Sequence, residues 1–124
     1  MAPVLLVAAL LVVCHEAGHI LSARAFGGHI QGLVFRGFAV GVALSLDGLS
    51  TRERLWTAWA GPLAEGVGAG VIAILTAVGA CSLHLLAWTC AVAAVNAGLN
   101  LGPWWAHNDG ALIRRWSQSA HTLS

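Results

Sequence analysis

The sequence predicts an all-α membrane protein, with three transmembrane helices and a small membrane-associated β-hairpin between the first and the second. Two observations carry this expectation. Of 124 residues, 58% are hydrophobic and 9% are charged, against about 25% charged in a typical soluble domain. A chain so short of charge cannot cover a water-facing surface in the usual way, so lipid is the expected solvent. The apolar residues also fall into three stretches, at about 3–26, 55–80 and 82–102. Each meets the roughly 20 residues needed to cross about 30 Å of hydrocarbon. The length suits one domain over residues 1–124.

The first stretch runs from Pro3 to Phe26, with proline at a position that suits a helix start. It has no Lys or Arg ahead of its apolar run and contains His15, Glu16 and His19, which argues against a cleaved targeting segment. A lone spanning segment must satisfy its own backbone, so a helix is expected rather than a strand. Next, residues 29–47 are rich in β-branched and apolar residues, with glycines at 32, 37 and 41, which reads as a hairpin at the membrane surface, with a re-entrant coil as the alternative.

Ser50-Thr51-Arg52-Glu53 has the spacing of a capping box, which marks the approach to the second helix. Pro62 lies inside that helix, where it removes one backbone donor. Gly66, Gly68 and Gly70 give it a small-residue face suited to close helix packing. The link to the third helix is short, which makes the two helices antiparallel. The tail 111–124 is too short for another span. Cys14, Cys81 and Cys90 form no C-x-x-C pair and read as small apolar residues within the helices.

Arginine placement sets the expected orientation. Arg24, Arg36, Arg52 and Arg54 flank the first connection, and Arg114 and Arg115 follow the third helix, while the link near Gly79 carries no charge. The positive-inside rule puts residues 27–54 and the C-terminus in the cytoplasm, in a protein of the cell membrane. Trp56, Trp59, Trp104, Trp105 and Trp116 fall at that same boundary as an interfacial belt, and Trp88 is expected to pack within the third helix. A net charge of +1 supplies no basic field for nucleic acid.

His15-Glu16-Ala17-Gly18-His19 is the strongest chemical signal. Residues four apart share a helix face, so His15 and His19 can offer two imidazole nitrogens to one metal ion. Glu16, about 100° round the helix from His15, can reach a metal-bound water without ligating. Zinc lowers the pKa of such a water to about 7, where a carboxylate can take its proton. Three ionisable groups in an apolar span are also costly unless they are paired or bound. A third ligand must come from elsewhere. Asp109, His107, Glu65, Asp47, His29 and His84 are the candidates; His84 lies toward the opposite membrane face, and Asp47 and His29 belong to the connection. His19, the Gly61–Glu65 segment and the Asn100–Gly110 segment all sit at one depth, about 10 Å inside the cytoplasmic boundary by helix rise.

His15-Glu16-x-x-His19, Ala60-Gly61-Pro62-Leu63-Ala64, Asn100-Leu101-Gly102-Pro103 and Asp109-Gly110, in that order, resemble the site-2 protease family of intramembrane zinc metalloproteases. The likeness covers the first helix through Gly110, most of the chain. It implies a core of three helices with a membrane-associated β-region. It also implies zinc bound by His15, His19 and Asp109, Glu16 as the catalytic base, and Asn100 beside the scissile bond or its oxyanion. The implied substrates are transmembrane segments of other proteins, cut at a site facing the cytoplasm.

The chain departs from the family pattern in two places. Glu65 stands where the family usually has Asn; a carboxylate there could accept a hydrogen bond from substrate, titrate in the site, or be bonded to a nearby Arg or Trp. The interval from Pro103 to Asp109 is one residue longer than usual. Counting from Pro103 would make Asn108 the ligand; Asp109 is preferred because Asp-Gly is kept together and a carboxylate ligates zinc better than an amide, with His107 as the secondary metal candidate.

The chain is close to the minimum for such a core, and a homo-oligomer is one source of further helices. Two other functions compete with proteolysis. One is a metal-containing membrane binding or chaperone module without catalysis. The other, weaker, is a fragment of a zinc or proton transporter, disfavoured because no inverted repeat is evident.

Overall fold

Among the described residues the chain forms four helices and one two-stranded antiparallel sheet. The order is α1 (Ala2–Ala25), β1 (His29–Arg36), β2 (Ala39–Ser45), α2 (Thr51–Ala77), α3 (Leu83–Leu101) and α4 (Asp109–Thr122). The structure, a computed structural model, describes residues 2–36, 39–102 and 109–122. Three helical segments, Pro3–Ala25, Thr51–Ala77 and Leu83–Leu101, are long and apolar enough to cross a membrane.

The helix boundaries have local causes. The capping box expected at Ser50 is formed: the Glu53 amide donates to the Ser50 hydroxyl at 3.3 Å, and the Ser50 amide donates to Glu53 Oε2 at 2.7 Å. These bonds satisfy donors that the first turn leaves free, so α2 starts at Thr51, ahead of the expected Leu55. It ends at Ala77 rather than near Ala80, and Gly79, at φ 78°, reverses the chain into α3. Ser82 caps α3 by accepting from the Leu85 amide at 3.1 Å. Gly27, at φ 92°, turns the end of α1 toward the hairpin, and the Gly28 amide donates to the Ala23 carbonyl at 2.7 Å.

The hairpin lies where the sequence places it. β1 pairs with β2 from His29↔Ser45 to Arg36↔Ala39, with an irregularity between Ile30 and Gly32. The described residues of the tail form α4, a helix of 14 residues that is not among the segments long and apolar enough to span. Leu112, Ile113 and Trp116 recur at helical spacing, and α4 packs on α2 and α3.

The packing is that of a protein with its apolar side turned outward. Leu6, Leu21, Val67 and Leu83 are 70% or more exposed, or close to it (72%, 70%, 68% and 77%). The interior instead holds His15, His19, Ser45, Thr57, Glu65 and Thr89, beside a few apolar residues such as Leu11 and Ala58. In lipid, outward leucines cost nothing, and polar groups must find partners inside.

α1 packs chiefly on α2. The close approach is made at Gly18 and Gly61, not at the glycines expected. A Cβ at Gly18 would meet the Ala60 backbone, and one at Gly61 would meet the His19 ring. Around Gly66 and Gly70 there is nothing within 4 Å among the described residues, and at Gly68 a Cβ would be in ordinary contact with Cys14 Sγ at 3.4 Å. The expected small-residue face at 66, 68 and 70 is therefore not a close-packing seam: the tightest approach of α1 and α2 is at Gly18 and Gly61, nearer the start of α2, and of the later glycines Gly68 alone faces α1, in ordinary contact, among the described residues.

Trp56 and Trp59 are exposed at the start of α2, and Trp116 is half-buried on α4; Trp104 and Trp105 lie outside the described residues. Trp88 is exposed rather than packed, and its indole donates to His84 Nε2 at 3.1 Å one turn away. The three cysteines are free.

Candidate metal centre

His15 and His19 stand one turn apart on the face of α1 that meets α2 and α3, and both are buried, at 4% and 8% exposure. Their Nε2 atoms are 3.2 Å apart. Asp109, the first residue of α4, brings Oδ2 to 2.9 Å from His15 Nε2 and 3.3 Å from His19 Nε2. Gly110 allows this: a Cβ there would meet the Leu101 carbonyl, so only glycine lets the start of α4 seat on the end of α3. A carboxylate in the first turn is also favoured by the helix dipole.

These three separations test the fit of a metal. A tetrahedral ion with ligand bonds of 2.0–2.1 Å has ligand–ligand edges of about 3.3 Å. The observed 3.2, 2.9 and 3.3 Å come close to three such edges. His15, His19 and Asp109 thus form a buried group that could hold a metal ion.

The ring orientations support the same point. His19 Nδ1 donates to the Thr57 carbonyl at 2.7 Å, and a carbonyl can only accept, so the neutral ring turns an Nε2 lone pair toward Asp109 and His15. Acceptor atoms at such distances repel one another unless a proton or a metal cation lies between them. Burial pushes the Asp109 carboxyl up, but the His15 and His19 rings beside it more than offset this and hold the group down at about 2.

Glu16, half-buried, does not join the three. Its Oε2 accepts from the Val42 amide of β2 at 2.9 Å, so the hairpin grips this carboxylate beside the centre. On the other side of the centre, His15 Nδ1 lies 3.0 Å from Glu65 Oε2, which also accepts from Asn96 Nδ2 at 2.8 Å. Asn100 Nδ2 in turn donates to Asn96 Oδ1 at 3.1 Å. Glu65 Oε1 is buried with no hydrogen-bond partner among the described residues. A cavity of about 280 Å³ beside it is lined by His15, Pro62, Glu65, Ala97 and Asn100, among others.

The structure therefore brings together His15, His19 and Asp109, and sets Glu16, Glu65 and Asn100 around them. His107 and Asn108 lie outside the described residues. Among the other candidate ligands, Asp47 accepts from the Ser45 hydroxyl at 3.0 Å, His84 accepts from Trp88, and His29 opens β1. Glu65 is bonded to a histidine and an asparagine rather than to an Arg or Trp.

Three contributors escaped the sequence reading. Thr57 and Val42 act through backbone atoms, which leave no side-chain signature. Asn96 did leave one, as a second amide one turn before Asn100 in an apolar helix.

No protein-family model and no curated protein sequence matches the chain.

Proposed function

We propose that the chain is a zinc-dependent intramembrane endopeptidase of the site-2 protease type, a hydrolase acting on membrane-spanning protein substrates. Its active site would face the cytoplasmic side of the cell membrane. The observation that carries the reading is the His15, His19 and Asp109 triangle, with near-tetrahedral spacing, its two histidines buried on a helix apolar enough to span a bilayer and its aspartate brought in by the start of α4. The sequence resemblance supports the protease class, and the arginine placement supports the orientation.

His15, His19 and Asp109 would hold the ion. Bound there, zinc would supply a Lewis acid that acidifies water and polarises a carbonyl. Glu16, next to His15 and held at the edge of the site by Val42, is the group that would take the proton from water and deliver it to the departing amine. Glu65 Oε1, lacking a partner among the described residues, can accept an N–H from an extended substrate, and Asn100 at the same cavity can donate to its carbonyl.

The hairpin supplies a way to hold an unwound peptide. Backbone groups alternate between the two sides of an antiparallel strand. Val42 sends its N–H to Glu16, so the outward side of β2 carries the backbone groups of Val40, Val42 and Leu44. A substrate strand added there would gain main-chain bonds with little sequence demand. Val42→Pro removes the amide that grips Glu16. Its expected effect is a loss of turnover of at least about tenfold, the worth of one charge-assisted hydrogen bond, with zinc content unchanged. Wild-type turnover in this variant would remove the β2 edge from the mechanism.

The direct test is reconstitution of the purified chain in liposomes with a single-span protein substrate. Cleavage should stop on chelation and return with added zinc. A zinc-loaded chain that cuts no such substrate would sink the protease reading. One observation favours a second function, a metal-containing binding or chaperone module: the Glu16 carboxylate is already engaged by Val42.

A further inference from the structure

We propose that Glu65 is a positioning residue of the metal centre, a carboxylate that fixes the His15 ring and sets a negative charge behind it. The inference rests on the reading of His15, His19 and Asp109 as metal ligands. It deepens that reading by assigning a role to the residue at which the chain departs from the family pattern.

Glu65 is 4% exposed, in the middle of an apolar helix. A carboxylate buried there is costly unless paired. Among the described residues, the only ion-pairing partner it has is His15, whose Nδ1 lies 3.0 Å from Oε2 with both side chains 5% exposed. The pair fixes the use of the ring. With Nδ1–H given to Glu65, the neutral imidazole has its lone pair on Nε2, the atom that faces His19 and Asp109. The Thr57 carbonyl does the same for His19. Two separate acceptors on α2 thus turn both rings with Nε2 toward one point. Hydrogen bonding from the far nitrogen of a ligating histidine to a carboxylate or carbonyl also raises the basicity of the ligand.

Only one of the two acceptors is charged, and that difference has a purpose. Neutral rings contribute nothing to the net charge, so a dication in this low-dielectric interior would be offset by carboxylates, with Asp109 as a ligand, Glu65 behind His15 and Glu16 at the edge of the site. Glu65 is itself held in place: Asn96 donates to the same Oε2 at 2.8 Å, and Asn100 donates to Asn96 at 3.1 Å, tying the carboxylate to α3.

The test compares wild type, Glu65→Gln and Glu65→Ala in detergent micelles, with Asp47→Asn as a control carboxylate outside the cluster. Zinc affinity is read by competition with a chromophoric chelator, and ligand geometry by the visible absorption of the cobalt-substituted protein. Expected is a zinc dissociation constant raised about 10- to 100-fold in Glu65→Ala. Glu65→Gln, which keeps the shape and an acceptor but not the charge, should fall between, with a shifted cobalt spectrum. The control should match wild type. Wild-type affinity and spectrum in Glu65→Gln would overturn the proposal, and this variant remains informative if Glu65→Ala does not fold. A wild-type chain that binds zinc but cuts nothing would sink the protease reading alone, because neither measurement depends on turnover. A wild-type chain that binds no zinc would overturn both.

Discussion

Glu16→Gln is expected to lose hydrolysis by about 10²- to 10⁴-fold, the usual contribution of a positioned acid–base group, while retaining its zinc. The amide is isosteric and can still accept from the Val42 N–H that now meets Oε2 at 2.9 Å, so the contact between α1 and β2 should survive. What is lost is the ability to take a proton. The group that could hold the ion is made of His15, His19 and Asp109, so metal content should be unchanged. Measured side by side, turnover and metal content separate the two functions. A catalyst loses the first and keeps the second. A metal-containing binding module keeps both, and unchanged activity in Glu16→Gln would favour that reading.

Asp109→Ala should bind zinc more weakly by at least about 100-fold, the upper end of what a supporting hydrogen-bonding group contributes, because here a ligand itself is removed. It should also lose turnover. Two imidazoles would remain, fewer than the three protein ligands usual for a catalytic zinc site. His107→Ala is the informative companion. With Asp109 Oδ2 at 2.9 and 3.3 Å from the two ring nitrogens, the third ligand position is filled without His107. Zinc lost from His107→Ala and kept in Asp109→Ala would reverse the assignment.

Much of this arrangement was legible in the residues. The three apolar stretches needed only length and composition, and the capping box at Ser50 and the hairpin over residues 29–47 needed only local spacing. The histidine pair declared its shared face by its four-residue separation. Asp109 required more, since nothing local to it says that α4 begins there and packs back on α3. What stayed hidden depends on neighbours distant in sequence. Gly18 and Gly61 matter because two helix backbones cross there, whereas Gly66 and Gly70 look the same in sequence and meet nothing among the described residues. Thr57 orients His19 through a carbonyl that every residue possesses. Glu65 reads from the sequence as a departure from a pattern, and its bond to His15 appears only when α1 and α2 are brought together.

The turn between α2 and α3 bears on how the protein enters the bilayer. Residues 78–82 contain no acidic or basic side chain, and Gly79 closes the reversal without help from any charged group. Carrying an Asp, Lys or Arg through the centre of the hydrocarbon costs about 2.5–3.5 kcal/mol per residue. In a bilayer that cost would be absent at this turn, so α2 and α3, both long and apolar enough to span, could cross as one prefolded hairpin with its uncharged tip leading.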